Sequence, residues 1–373
     1  MGLTSKVGPT EGQGAGVGKT APSRLLPGDE KVTTRLARFL GEAAGGAATI
    51  TGLSRLGGGA IQENWRIDIS FASGPMAGGP VAGGHALVLR ASAPSRVPYS
   101  HSRTQEFALL EAAFGAGVTV PEPLWACDDA GVIGAPFLVM RFVEGISLAQ
   151  KIVRDPALDG ARDALAERLG EELAKIHGIR PGHAGLDFLA LPEPSPALAA
   201  IGAYRDYLDR HAAPHPVIEW GLRWAEHNAP PPGELVLCHR DFRTGNYVVE
   251  AKAPAKGGLR GILDWEFSGW GDPMEDVAWF CAKCWRFGAN DREAGGIAGR
   301  ARFHDADRGA SGRDIDADAI AFWEVMAHAR WAVIALQQAE RHLSGAERSL
   351  ELAAIGRRPA EMELEILRLT GAA

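Results

Sequence analysis

Cysteine is scarce in this chain: four residues in 373, at Cys127, Cys238, Cys281 and Cys284, too few and too scattered for a disulfide framework. Basic excess is missing as well. Lys and Arg number 39 against 46 Asp and Glu, a formal net charge of −7, and the pI is near 5.9, which argues against a nucleic-acid binder. No apolar run reaches membrane-spanning length, and the first residues lack the h-region of an export signal. A soluble, cytoplasmic protein with no membrane or nucleic-acid partner is therefore expected. Cys281-Ala-Lys-Cys284 has no second CxxC and no His pair beside it, and His177, His239 and His304 have no ligand-like spacing. Two small thiols at i, i+3 read as core filler rather than a zinc or redox site. What the chain does have is apolar mass: 46% hydrophobic residues can bury one large or two modest cores.

The informative stretch is LVLCHRDFRTGNYVVEAKAPAKGGLRGILDWEFSGWGDPMED, Leu235 to Asp276. His239-Arg240-Asp241 is followed by Asn246 five residues after the aspartate, and Asp264 closes the strand-like run Gly261-Ile262-Leu263. H-R-D-x-x-x-x-N with a later strand-end Asp suits phosphoryl transfer. Such chemistry needs a carboxylate to take the acceptor hydroxyl's proton and oxygen ligands to hold Mg²⁺ against phosphates. Asp241 fits the base, and Asn246 and Asp264 fit the metal. NYVVE and RGILDW read as a hairpin around the Gly-rich turn 251–258, which brings Asn246 and Asp264 to one end.

The wording LCHRDFRTGNYVV and GILDWEFSGWGDPMEDVAWF resembles the aminoglycoside phosphotransferase and choline kinase-like family, in its branch found beside acyl-CoA dehydrogenase domains. The resemblance runs from about Ile50 to Arg368. It implies an α+β, bilobal, protein-kinase-like fold, with ATP and Mg²⁺ as cofactors and a small-molecule hydroxyl as acceptor. The expected divisions are a disordered leader (1–30), a β-rich nucleotide-binding lobe (31–143) and a mainly helical lobe (144–373) with the catalytic loop. The acceptor itself is not fixed by fold or family; the branch's company points to a hydroxylated acyl or other carbon-metabolism compound.

Along the first lobe, Leu36, Phe39 and Leu40 predict a helix over 33–42 with Thr33 or Thr34 as its cap. ATITGLSRL, NWRIDISF and HALVLRA read as three strands. Gly57, Gly58 and Gly59 between the first two suit either a plain hairpin turn or a backbone approach to nucleotide phosphates. Arg90 ends the third strand where kinases carry a phosphate-pairing lysine; a surface arginine is the other reading. His101 to Phe114 is expected to be a helix with Phe107, Leu110 and Phe114 inward. Its Glu106 resembles the glutamate that pairs with the strand-three cation. By the same resemblance Met140, Arg141, Phe142 and Val143 form the hinge whose backbone meets adenine.

In the second lobe, helices are expected over 161–177 (ended by Gly178), 201–210 and 215–227. Past the hairpin, Gly271-Asp272-Pro273 reads as a turn and 274–285 as a helix capped by Asp272. Asp276 resembles a buried aspartate that braces the catalytic loop, and His239 reads as a brace too. Glu266 is either structural or a further metal or acceptor contact. Residues 288–316 read as a loop with short helical turns, 320–339 as a long buried helix and 347–370 as one or two terminal helices. Trp279, Trp285, Trp323 and Trp331 are core residues or walls of an acceptor pocket. The rivals are a non-catalytic nucleotide-binding module, a protein kinase (against which stands the missing A-P-E segment) and a metallohydrolase with too few ligands.

Overall fold

Strict alternation in NWRIDISF turns Trp65, Ile67, Ile69 and Phe71 to one face, and all four are buried. They lie in β2 (Gln62–Phe71), which pairs antiparallel with β1 (Ala48–Arg55) on one side and β3 (His85–Ser92) on the other. The computed structural model describes residues 29–57, 62–77, 84–92, 99–251 and 255–373. α1 (Glu30–Ala44) precedes the sheet and is capped by Asp29, whose carboxylate accepts from the Lys31 and Val32 amides. The caps expected at Thr33 and Thr34 are instead interior residues whose hydroxyls bond back to Asp29 and Glu30 carbonyls. Val32, Leu36 and Leu40 of α1 bury against the sheet.

α2 (Arg103–Gly115) follows β3, closed at its start by a Ser102–Gln105 capping box. β4 (Pro123–Cys127), the short α3 (Ala130–Ile133) and β5 (Phe137–Arg141) complete a five-stranded antiparallel sheet of order β1-β2-β3-β5-β4. The inward face of α2 differs from expectation: Leu109, Leu110, Ala112 and Ala113 are buried, while Phe114 is exposed. These α2 residues join the larger helical core rather than the sheet's.

α4 (Ala149–Arg154), α5 (Arg162–Ile176), α6 (Pro196–Arg210) and α7 (Pro216–His227) lead to β6 (Val236–Cys238). α5 ends at Ile176, with His177 rather than Gly178 as its C-cap. β7 (Tyr247–Val249) and β8 (Leu259–Ile262) form the expected hairpin, with Tyr247 opposite Ile262. β9 (Gly269–Gly271), which has no strand-like pattern of its own, pairs with β6. A Cβ at Gly269 would lie 2.7 Å from the Arg240 guanidinium, so the strand's small residues make room for the catalytic loop.

α8 (Pro273–Cys281) is capped by Asp272, as expected, but stops at Cys281 and passes into a 3₁₀ turn over Lys283–Trp285. The region expected as loop holds a twelve-residue helix, α9 (Arg300–Ser311). It shows little periodicity because it buries few apolar residues, Phe303 chief among them. Its support is close packing on α5: a Cβ at Gly170 would sit 2.5 Å from the Phe303 carbonyl oxygen. α10 (Ala317–Leu343), α11 (Leu350–Ile355) and α12 (Pro359–Leu369) close the chain. Contrary to the expectation from apolar runs, α10 is long and apolar enough to cross a membrane, but its apolar window is 78% buried in the core.

Candidate active site

The catalytic-loop sequence sits between β6 and β7, and one buried carboxylate shapes it. Asp276, near the start of α8, accepts the His239 amide on Oδ2 and the Arg240 amide on Oδ1, both at 2.7 Å. His177 Nε2 stands 3.3 Å from Oδ2. Burial works to raise this carboxyl, but His177 and the loop hold it below the ordinary aspartate range. The loop needs such a clamp because Arg240 has φ +62°, a left-handed backbone that a non-glycine residue adopts at a cost. His239 fixes the other side, its Nε2 2.9 Å from the Leu263 carbonyl oxygen. Burial lowers the His239 pKa, which suits a neutral brace.

His177 and Asp276 also lie with Cys238 in a buried trio whose ligand-type atoms fall within 4.8 Å of one another. Sequence spacing does not show this trio, whose members come from three separate segments. The Asp276 oxygens are already engaged by the loop amides, so the trio reads as a structural clamp. The Cys281–Cys284 pair lies in the core, both thiols pushed up to about 12 by burial. All four cysteines are buried. Native protein at pH 8 should thus react slowly with a thiol reagent and release four reactive thiols only on unfolding; a fast stoichiometric thiol would contradict this packing.

Asp241 follows at the loop's tip. Trp279 Nε1 donates to its Oδ1 at 3.1 Å, Arg243 Nε reaches both oxygens at 3.1 and 3.3 Å, and Asn246 Nδ2 donates to Oδ2 at 2.6 Å. The same Asn246 nitrogen bonds the Asp241 carbonyl oxygen at 2.9 Å. With its nitrogen turned inward, the Asn246 amide offers Oδ1 as its metal-type atom. The Leu263 amide donates to the Asn246 carbonyl at 2.8 Å, which puts Asp264 beside it. Asp264 itself has φ +64°. Its carboxyl is 31% exposed; burial works against its charge, yet Arg90 and Arg243 hold it below the usual range. An ionised carboxylate and an amide oxygen at one hairpin end fit Mg²⁺, which takes few protein ligands and hard oxygens.

Arg90 is buried, which overturns the surface reading. Its Nε meets Glu106 at 2.9 Å, Nη1 meets Asp264 at 2.5 Å and Nη2 meets Glu266 at 2.9 Å. Burial opposes its charge, but three carboxylates outweigh that and keep it protonated. The fork is spent on carboxylates here rather than standing free for a phosphate. Glu266 is likewise no loose contact: it is buried, pairs with Arg90 and Arg103, and accepts from Ser100. Arg103 also pairs with Glu106. The result is one buried network joining β3, α2 and the segment after β8, reinforced by the His101 amide bonding the Glu266 carbonyl at 2.9 Å.

The remaining expected residues divide. Met140 lies near the end of β5 and Phe142 directly follows it, both half-buried, and the Phe142 amide bonds the Ala86 carbonyl at 3.0 Å. Arg66 lies over the Phe142 ring at 4.5 Å. Gly57 follows β1 in open space, while Gly58 and Gly59 lie outside the described residues. Sequence reasoning missed Arg243 and Arg103. Each stood next to a signal: Arg243 two residues after the base, Arg103 one helical turn before Glu106.

Against known proteins, residues 52–313 match the model of the phosphotransferase enzyme family. Acyl-CoA dehydrogenase family member 10 of Mus musculus is 30% identical over 212 residues, 52% of this chain and 18% of that protein. Member 11 of Gallus gallus is 33% identical over 206 residues, 53% and 25% respectively. The chain thus matches a quarter or less of the length of these two relatives. A solved putative aminoglycoside phosphotransferase from Ralstonia eutropha JMP134 superposes with TM-score 0.70 at 21% identity, covering 91% of this chain and 98% of that one. Macrolide 2'-phosphotransferase type I gives 0.58 at 17%, covering 92% and 98%. The architecture is therefore the kinase-like phosphotransferase fold, an antiparallel sheet followed by a helical region. With its family model spanning the sheet, the catalytic loop and the hairpin, this chain belongs to the phosphotransferase enzyme family.

Proposed function

We propose that this protein is an ATP-dependent kinase acting on a hydroxyl group of a small molecule. The observation that carries the reading is the Asp241 carboxylate, held by donors from Trp279, Arg243 and Asn246 and facing the Asn246–Asp264 hairpin end. In this reading Asp241 accepts the proton of the acceptor hydroxyl as its oxygen attacks the γ-phosphorus. Asn246 Oδ1 and the Asp264 carboxylate would hold Mg²⁺, which when bound neutralises charge on the phosphate oxygens. Arg243, which reaches Asp241 and lowers the Asp264 pKa, stands between base and hairpin and places positive charge beside the transferred group. Arg90 acts as a positioning residue, fixing Asp264 and tying Glu106 and Glu266 to it. Met140 and Phe142 would meet the adenine, and Gly57, just past β1, would approach the phosphates.

ADP release from Mg·ATP is measured with pools of aminoglycosides, sugars, amino alcohols and hydroxyacyl thioesters. Release that requires both a pool and Asp241 supports the kinase; absence of nucleotide binding would undo it. Asn246→Ala should raise the Mg²⁺ concentration for half-maximal activity by at least about tenfold, as loss of metal-site support does elsewhere. An unchanged Mg²⁺ requirement would remove Asn246 from the metal site.

A further inference from the structure

One charged cluster beside the catalytic loop is not used by this chemistry. Arg240, adjacent to Asp241, and Arg330 of α10 converge on Glu275 of α8. Arg240 Nε lies 3.6 Å from Glu275 Oε2, and Arg330 Nη1 lies 3.7 Å from Oε1. Both separations exceed hydrogen-bond length. Both nitrogens are buried without a hydrogen-bond partner among the described residues. Native proteins seldom leave buried guanidinium donors unmet, and such orphans mark places where a ligand or ion completes the set.

The two guanidiniums share the single carboxylate of Glu275, with Asp276 behind Arg240. Arg330 lies over the Trp279 ring at 4.5 Å, and the nitrogen of that same ring donates to Asp241. Arg243 lies over Trp285 at 4.6 Å. The base is therefore flanked by two arginine-on-tryptophan stacks. Stacking buries the guanidinium face and leaves its edge, where the donors are, for another partner.

We propose that the acceptor carries an anionic group, a carboxylate or a phosphate monoester, which Arg330 and Arg240 bind while its hydroxyl rests at Asp241. This rests on the phosphotransferase reading and narrows its acceptor class. A guanidinium fork matches the paired oxygens of carboxylate or phosphate. A polycationic acceptor would have to place its charge against these two guanidiniums. Glu275 has a place in the scheme: at 3.6 to 3.7 Å it holds both arginines, while Arg240 Nη2 is anchored on the Trp270 carbonyl at 2.8 Å and so fixes the direction of that guanidinium.

The test is a matched ligand series on one three-carbon frame, titrated into protein saturated with Mg·AMP-PNP and followed by calorimetry. Glycerate carries the carboxylate and glycerol 3-phosphate the phosphate. Glycerol and glyceramide are neutral, and 3-aminopropane-1,2-diol is cationic. At least one anionic member should bind about tenfold more tightly than the neutral frames, the scale of one charge-assisted hydrogen bond. Which of the two it is separates carboxylate from phosphate. Arg330→Gln should erase the preference and Arg330→Lys should recover part of it. Equal or tighter binding of the neutral or cationic frames, no binding of either anion, or a preference that survives Arg330→Gln would each overturn the proposal. In those cases bound Mg·AMP-PNP leaves the phosphotransferase reading intact. Failure to bind Mg·AMP-PNP sinks that reading, and the anion site with it.

Discussion

Asp241→Asn should lower phosphoryl transfer by about a thousandfold, the middle of the range that a positioned general base contributes, while Mg·ATP still binds. The substitution keeps the side chain's size and its stacking environment of Trp279, Trp285 and Arg243. What changes is basicity and one pair of hydrogen bonds. Oδ1 faces two donors, Trp279 and Arg243, while Oδ2 faces the Asn246 nitrogen at 2.6 Å and Arg243 Nε at 3.3 Å. An amide can satisfy the first pair with its oxygen, but its own nitrogen then confronts that of Asn246. Some of the loss will come from Asn246 being pushed aside, and a shifted Mg²⁺ dependence would report that part. Single-turnover measurement with saturating Mg·ATP isolates the chemical step. Transfer at the wild-type rate would exclude Asp241 as base. A wild-type protein that binds Mg·ATP yet is as silent as the variant in every acceptor pool would favour a non-catalytic nucleotide-binding role.

Much of this was legible in the primary structure, for reasons that can be named. Strand β2 announces itself because alternation survives translation into burial, as Trp65, Ile67, Ile69 and Phe71 demonstrate. The hairpin carrying Asn246 and Asp264 was readable because a polar, Gly-rich turn separates two β-branched runs. The pairing of Arg90 with Glu106 was available only from the resemblance, since neither residue marks its partner locally. What could not be read is long-range. The β6–β9 ladder joins segments some thirty residues apart, and Gly269-Trp270-Gly271 has no strand-like pattern of its own. Helix α9 is mostly polar, and its place is set by a close approach to Gly170 of α5. The full engagement of Arg90 depends on Asp264 and Glu266 from the far end of the chain folding over it. Such contacts are products of tertiary packing, not of propensity.

That same dependence makes Asp276 the residue whose loss should cost the most stability. Its carboxylate takes two backbone amides of the catalytic loop and stands against His177, all with no exposure to solvent. Asp276→Asn keeps the shape but turns one acceptor into a donor facing an amide. The Arg240 backbone, held at φ +62°, loses part of what fixes it. Breaking a buried, hydrogen-bonded charge of this kind costs about 3–5 kcal/mol, and at about 2–4 °C per kcal/mol for a unit of this size Tm should fall by roughly 10 °C. The pH dependence has a definite sign. Asp276 is depressed in the folded protein, so its stabilisation is fully present above the unfolded aspartate value of about 4 and fades as pH falls through the folded value. The gap in stability between wild type and Asp276→Asn should therefore stay level from pH 7 down to about 5 and narrow only below about 4. Paired denaturant melts across that range measure it. A gap that widened toward acid, or a variant as stable as wild type at pH 7, would show that the catalytic loop holds its shape without this carboxylate.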